Sequence, residues 1–408
     1  MLSKFHYMIH KVMQYWLVIW LLGLSCSATQ HNDTALTRAV LEKRLTELSN
    51  RAVQDLAKVP IDSTRIPRAL HADRTLRASK SKEWTSGFYA GMLWELYQFS
   101  GNEKLRRAAE RWTAFQEKEK WDTRTHDLGF KIYCSFGKGY DVNHSEHYKN
   151  VILDASRTLI KRYNPTVGAI RSWDWNTDVW QFPVIIDNMM NLEMLFAATA
   201  FSKDSTFYHV ARQHALTTLQ HHFRPNYSSY HVIDYDTLTG AVRNRHTHQG
   251  AAHESAWARG QAWGLYGFTM AYGATREPRF LALAQNIADF YFQHPHLPPD
   301  YIPYWDFDAP RIPDEPRDAS AAAVMASGLL ELYHLDPANQ NQYLAWADRI
   351  LHSLATPAYQ SHIPPFLLQH SVGSIPGAFE VDVPIIYADY YYVEALLRRL
   401  KIEKMRGK

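Results

Sequence analysis

Cysteine is nearly absent: the 408 residues contain two, Cys26 and Cys134. Cys26 lies at the end of a leader-like segment, and with it cleaved or acylated Cys134 stands alone, so no internal disulfide supports the fold. Long hydrophobic runs are also missing, since the apolar stretch Tyr15 to Leu24 is too short for a confident membrane span. No Lys/Arg block breaks the body of the chain, and 44 basic against 41 acidic residues give a formal net charge of +3. That balance argues against a nucleic-acid partner. There is no phosphate-cradling glycine loop, no nucleotide fingerprint, no Cys/His zinc spacing and no Gly-x-Ser-x-Gly elbow. His222, His246, His248 and His253 form a loose group without a recognisable ligand pattern, so a metal site is not expected. With those chemistries set aside, carboxylates are the remaining candidates for catalysis.

Aromatic residues are abundant. The 13 Trp, 24 Tyr and 21 His can build a pocket that stacks on flat apolar faces and hydrogen-bonds polar edges, although core packing could consume them all. A 46% hydrophobic and 21% charged composition is that of an ordinary globular chain. At the N-terminus Lys4 and Lys11 precede the run Tyr15-Trp-Leu-Val-Ile-Trp-Leu-Leu-Gly-Leu24, with Ser25 and Ser27 after it. This pattern reads as an export signal over residues 1–26, with an anchor helix as the alternative. Cys26 resembles the acylated cysteine of a bacterial lipoprotein, although Gly23 stands where such signals usually carry Leu. The expected location is therefore outside the cytoplasm, in the periplasm or attached to a membrane through acylated Cys26. Residues 27–408 are expected to form a single catalytic domain.

Four stretches share one plan: an apolar, small-residue-rich helix, a polar break, then an amphipathic helix. They open at Trp84, Trp180, Trp257 and Asp318, and break at Ser100-Gly-Asn-Glu103, Ser202-Lys-Asp-Ser205, Gly273-Ala-Thr-Arg-Glu-Pro278 and Leu335-Asp-Pro-Ala-Asn339. In the partners, apolar residues recur at helical spacing, as in Leu283, Ala284, Ile287, Ala288 and Tyr291. Helices apolar all round suit an inner ring, and one-sided helices suit an outer ring facing water. Further helices are expected at about 36–57, 127–137, 145–163 and 384–401. The sum is about twelve, enough for an all-α toroid of six hairpins, an (α/α)6 barrel. An open solenoid is the alternative. Strand signals are few, mainly Tyr230 to Asp236 and the Thr-Leu-Thr-Gly turn after it. A closed double ring gathers the inner-helix N-terminal ends, with their tryptophans and acids, around one mouth.

Two acids stand out. Asp127 lies in Thr125-His-Asp-Leu-Gly-Phe130, where a charge is followed at once by residues fit for burial. Asp187 lies in Val184-Ile-Ile-Asp-Asn-Met-Met-Asn-Leu192, expected as part of an apolar inner helix. An ionised Asp there is costly unless paired, hydrogen-bonded or protonated. Catalysis and a helix-tying structural role both satisfy this requirement.

An ordered set of motifs decides further. Trp84-Thr-Ser-Gly-Phe88, His126-Asp-Leu-Gly-Phe130, Arg171-Ser-Trp173, Ile186-Asp-Asn-Met-Met-Asn-Leu192, His231-Val-Ile-Asp-Tyr-Asp236, Trp257-Ala-Arg-Gly-Gln-Ala-Trp263, Asp318-Ala-Ser-Ala-Ala322 and Asp389-Tyr-Tyr-Tyr-Val-Glu-Ala-Leu396 run in order over about residues 35–400. Together they resemble glycoside hydrolase family 88, the unsaturated glucuronyl hydrolases. The resemblance implies an (α/α)6 barrel without a metal or organic cofactor. It also implies a substrate, an oligosaccharide left by a polysaccharide lyase and ending in a 4,5-unsaturated uronate. The reaction it implies is hydration of the C4=C5 double bond. Asp187 would be the general acid and then the base, and Asp127 the second essential carboxylate. His231, Gln249 and Arg259 match polar residues lining the family's uronate pocket. Trp84, Trp173 and Trp263 match its aromatic walls, and Tyr390 matches a tyrosine near the mouth. Arg259 suits a carboxylate because its planar fork can donate two parallel hydrogen bonds, with a helix-end salt bridge as its other reading.

The chain also departs from the family pattern. Members that favour sulfated glycosaminoglycan fragments tend to carry Ser-x-x-Ser-x-Lys before the last inner helix. Here Ser374 is followed by Gly377 and Phe379 at the matching positions, and Ala388 replaces the glycine usual before Asp389. That sulfate clamp is absent, and the leaving saccharide stays open among ulvan, chondroitin or hyaluronan, heparin-type and other uronate-containing glycans. Competing readings are an unsaturated rhamnogalacturonyl hydrolase of the related family 105, another α/α-barrel glycosidase, or a surface glycan-binding lipoprotein that has lost catalysis.

Overall fold

The structure is a computed structural model that describes residues 36–407. The leader and Cys26 lie outside the described residues. Twelve helices alternate in role along the chain. The odd-numbered ones are α1 (Arg38–Asp55), α3 (Glu103–Ala114), α5 (Glu146–Ile160), α7 (Ser205–His221), α9 (Pro278–Gln293) and α11 (Gln340–Leu354). The even-numbered ones are α2 (Phe88–Ser100), α4 (Lys138–Asn143, entered through a π-helix over Gly129–Gly137), α6 (Asn188–Ser202), α8 (Ala258–Thr275), α10 (Ala319–Leu335) and α12 (Ile386–Arg406).

Each even-numbered helix packs on the next, α4 reaching α6 through its π-helical entry, and α12 returns to α2, so these six close an inner ring. The odd-numbered helices pack outside it, giving the (α/α)6 barrel. Local sequence explains the division. In α10 every residue from Ala319 to Leu330 is buried, whereas α9 buries only the face of Phe280, Leu283, Ala284, Ile287, Ala288 and Tyr291. Polar side chains set the turns: Asn102, Ser145 and Asp204 accept hydrogen bonds from the first backbone N–H groups of α3, α5 and α7. Gly101 supplies the left-handed residue that ends α2. Among the described residues, no helix is long and apolar enough to cross a membrane.

Short strands decorate one end of the ring. β1 (Ile66–Leu70) and β2 (Leu76–Ser79) form a hairpin, tied through Leu70 N–H to Pro384 O beside the start of α12. β3 (Tyr163–Asn164) pairs with β4 (Ala169–Ile170). β5 (Pro183–Ile185), β6 (Val232–Tyr235) and β7 (Val242–His246) form an antiparallel sheet, of which the β6 strand and its turn were expected. The segment after Trp180 corrects the expected plan. The β-branched Val184 and Ile185 take an extended strand instead of helix, because β6 offers ladder partners to their backbone. Helix α6 therefore starts only at Asn188, and Asp187 stands at its cap position rather than inside it.

Candidate active site

The inner helices begin at the decorated end, where a cavity of about 400 Å³ opens. Trp84, Asp127, Trp173, Asp187 and Gln249 line it together, five of the nine residues singled out in the sequence.

Asp187 is 8% exposed. Its side chain makes no capping bond to α6, and its Oδ2 is buried without a hydrogen-bond partner. Burial pushes its pKa up to about 7; the Arg259 charge opposes that rise and the like charge of Asp127 adds to it. The β5–β6 register sets its neighbour. Ile185 pairs with Val232 and Ile186 N–H bonds to His231 O, so His231 sits beside Asp187 with Nε2 3.7 Å from Oδ2. His231 Nδ1 accepts the backbone N–H groups of His248 (3.0 Å) and Gln249 (3.1 Å). Because Nδ1 accepts, the neutral ring carries its proton on Nε2, the atom facing Asp187. Burial and nearby cations hold the His231 pKa well below its ordinary value, so the ring is neutral.

Asp127 is more open, with 19% of its side chain exposed. Thr125 Oγ1 donates to its Oδ2 at 2.5 Å and in return accepts its backbone N–H at 3.1 Å. His126 Nε2 lies 3.2 Å from Oδ1, and burial lowers the His126 pKa. The Asp127 carbonyl accepts Lys131 N–H as the π-helix begins. Asn191 of α6 anchors that entry by accepting Phe130 N–H, while Gly129 leaves no room for a Cβ against Asn191 Cα. The two acids thus stand at adjacent inner-helix starts.

Trp84 packs tilted against Tyr387 (4.9 Å, 31°) and lies 5.4 Å from Phe130, forming an aromatic wall. Trp173 stacks on Trp175, and Gln249 Nε2 donates to Gly373 O. The remaining expected residues are placed differently. Arg259 is fully buried and absent from the cavity lining. Its fork is spent on Asp318 Oδ2 (3.0 Å), Val372 O and Gly373 O (2.8 Å), between the rings of Trp257 and Tyr387. The helix-end salt bridge is therefore the geometry adopted. Arg259 reaches the site by its charge on Asp187 and by holding residues 372–373. Trp263 lies beneath the wall, 5.4 Å from Phe130, and its buried indole N–H acts on the Asp187 carboxyl, opposing the rise in its pKa. Tyr390 packs behind Phe88, and one turn earlier Tyr387 lines the cavity in its place. A three-residue step on a helix keeps roughly the same face but changes the level, which three consecutive tyrosines obscure.

Sequence reasoning missed the rim: Lys82, Arg124, Trp175, Phe379 and the buried pair Arg68–Glu380 (2.5 Å) also line the cavity. Only Trp175, two residues beyond Trp173, carried a visible signal. The histidine group disperses: His222 bonds Val184 O, His246 stacks on His253, and His248 packs among tryptophans. Among the described residues no three His, Cys, Asp or Glu converge as a metal-holding group.

The arrangement offers a buried acid holding a proton near neutral pH, a second carboxylate, a neutral imidazole N–H and aromatic walls. That set suits proton transfer to a flat, polar-edged substrate. Comparison with known proteins gives the same direction. The family described as Glycosyl Hydrolase Family 88 matches residues 62–296. An unsaturated glucuronyl hydrolase of Formosa agariphila is 48% identical over 362 residues, covering 88% of this chain and 90% of that protein. An unsaturated chondroitin disaccharide hydrolase of Streptococcus pyogenes is 30% identical, covering 82% and 86%. The crystal structure of an unsaturated glucuronyl hydrolase specific for heparin superposes with a TM-score of 0.86 at 44% identity, covering 89% of this chain and 98% of the other.

Proposed function

Because the chain belongs to glycoside hydrolase family 88, we propose that it removes the non-reducing terminal 4,5-unsaturated uronate from polysaccharide-lyase products, with Asp187 as general acid and base. The carrying observation is the uncapped, buried Asp187 carboxyl, whose pKa burial raises to about 7. A carboxyl that stays protonated near neutrality can protonate the enol-ether carbon C4, whereas one with the ordinary pKa of about 4 is ionised there and has no proton to give.

Asp187 gives its proton to C4, the developing positive charge rests on C5 and the ring oxygen, and water adds at C5. The carboxylate formed on Asp187 accepts the proton that this water loses. The resulting hemiketal opens and expels the remaining saccharide. Nothing is displaced at the anomeric carbon, so carboxylate separation does not report retention or inversion here. Asp127 sustains the proton on Asp187 through its like charge, and His231 Nε2–H offers a neutral donor beside it. Trp84 and Trp173 bound the sugar faces, and Gln249 lies on the same lining with polar edges to offer.

Asp187→Asn keeps the shape and removes the transferable proton. Loss of the double bond's ultraviolet absorbance should fall at least about a thousandfold in rate, while the disaccharide still binds. Unchanged turnover by this variant would sink the assignment, and hydrolysis of the saturated counterpart would sink the reaction. The leaving saccharide is best sought in a panel of lyase products. Relatives are named for chondroitin and heparin fragments, while Ser374 here bonds Gly377 N–H, and Phe379 follows where the sulfate-clamp pattern has Lys. We also place the mature enzyme outside the cytoplasm, on the strength of Lys4, Lys11 and the apolar run ending before Cys26. If Cys26 is acylated, Cys26→Ala shifts the enzyme from the membrane to the soluble fraction. Equal partition of both forms would argue for cleavage alone.

A further inference from the structure

Half of the Trp175 side chain is left in water, an unusual place for so large an apolar surface. Trp175 is 48% exposed, whereas Trp173 is 7% exposed, and the two rings stack in parallel at 4.7 Å and 13°. Both line the cavity that holds Asp127 and Asp187. Among the described large apolar residues that are exposed, Trp175 is the one on that lining. The stacked pair therefore runs from the buried interior of the site outward to its mouth.

The outer ring is held, not loose. Trp180 meets it edge-on at 5.7 Å and His248 packs on it at 5.1 Å. Trp180 is itself anchored by its indole N–H on His246 Nδ1 (3.3 Å). Thr125 bridges Trp173 from the Asp127 side, and Asn176 closes the loop by accepting the N–H groups of Val179 and Trp180. A rigid aromatic face presented to solvent at a cavity mouth has lost its entropy before any ligand arrives, which favours binding.

From these contacts we propose that Trp175 is a stacking platform for the pyranose ring that follows the reacting uronate. The inference rests on the hydratase reading, because removal of a terminal residue at a buried acid forces the rest of the chain out through the mouth. The apolar C–H face of a pyranose carries partial positive charge, which suits the negative face of an indole. Such a platform reads ring shape rather than sulfation, so it serves leaving saccharides of several glycans. Its contact is made equally in ground and transition states and contributes to KM rather than kcat.

The test compares a lyase-generated unsaturated disaccharide with the methyl glycoside of the same unsaturated uronate, which has no second ring. Trp175→Ala should raise KM for the disaccharide about tenfold with kcat little changed. Its loss on the methyl glycoside should be several-fold smaller, and Trp175→Phe should recover most of the disaccharide affinity. Equal losses on both substrates, or none on either, would overturn the platform while leaving the reaction intact. A wild-type enzyme that turns over no unsaturated substrate would overturn both together.

Discussion

At the scale of single residues, the proposed acid must keep, near neutral pH, a proton that an ordinary carboxyl would already have lost. With the Asp187 pKa raised to about 7 by burial, the protonated, active form declines as pH rises through that value. The kcat profile should therefore fall on its alkaline side with a midpoint near pH 7, and a plateau through pH 9 would remove Asp187 as the acid. Asp127 adds to the raised value through its like charge. Asp127→Asn should accordingly move the alkaline limb of the residual activity to lower pH, whereas a purely sugar-positioning role would change the rate and leave the limb in place. Both acids were legible in the sequence because a charge inside an apolar stretch demands an explanation. Side-chain direction was not legible. Tyr387 rather than Tyr390 lines the cavity, and Arg259 spends its fork on Asp318 and the 372–373 carbonyls. Such outcomes depend on helix rotation and on partners more than fifty residues away, which local pattern does not encode.

Among elements, the inner ring is built on close backbone approach. A Cβ on Gly91 of α2 would lie 2.1 Å from the Cys134 carbonyl of the π-helix and 2.6 Å from the Tyr390 ring. The carbonyl belongs to a hydrogen-bonded helix and has nowhere to go. Gly91→Ala should cost at least about 1–3 kcal/mol, read as a lower urea midpoint with an unchanged slope. Asp318 plays a different part: it caps α10 through Ser320 N–H, accepts Val372 N–H and pairs with Arg259, all without solvent. Asp318→Asn leaves a buried guanidinium short of its counter-charge and should destabilise by about 3–5 kcal/mol. Because residues 372–373 then loosen beside Gln249, KM should also rise in assays at temperatures where the variant stays folded. Helices of this barrel were readable from composition, since uniformly apolar and one-sided segments alternate. The strands were mostly not. β5 has three residues and β3 and β4 two each, too short for any period to emerge. The placement of Asp187 at a helix cap followed from that missed strand.

Taken as a whole, the barrel buries more acid than its neutral-pH charge allows. About two turns below the mouth, Lys138 Nζ sits between Glu95 (3.0 Å) and Glu394 (2.8 Å), while Ser327 and Tyr266 donate to Glu394. Burial raises Glu95 to about 8 and Glu193 to about 7, and Asp389, at the head of α12, to about 8. Glu394 goes the other way, to about 2: the Arg398 and Lys138 charges overcome its burial. For the raised acids, the unfolded chain ionises near ordinary carboxylate values while the folded one still holds protons. Their stabilising effect is thus complete below about pH 4 and is lost as pH climbs through 7 to 8. The Glu394 contribution is present above its ordinary value and disappears only as pH falls toward 2. The two trends together place maximum stability in mildly acidic solution. The urea midpoint should drop between pH 5.5 and 8.5, and a flat or rising midpoint over that window would contradict the assignment of protons to these acids. Glu95→Gln removes one of the groups that must ionise but leaves Lys138 its Glu394 partner. It should therefore flatten the decline, with its advantage over the wild-type protein greater at pH 8.5 than at pH 5.5. Asp187→Asn should flatten it too, linking the same buried proton to stability and to the proposed catalysis: the acid proposed to protonate the substrate near neutrality is one that the fold holds ionised only at a cost.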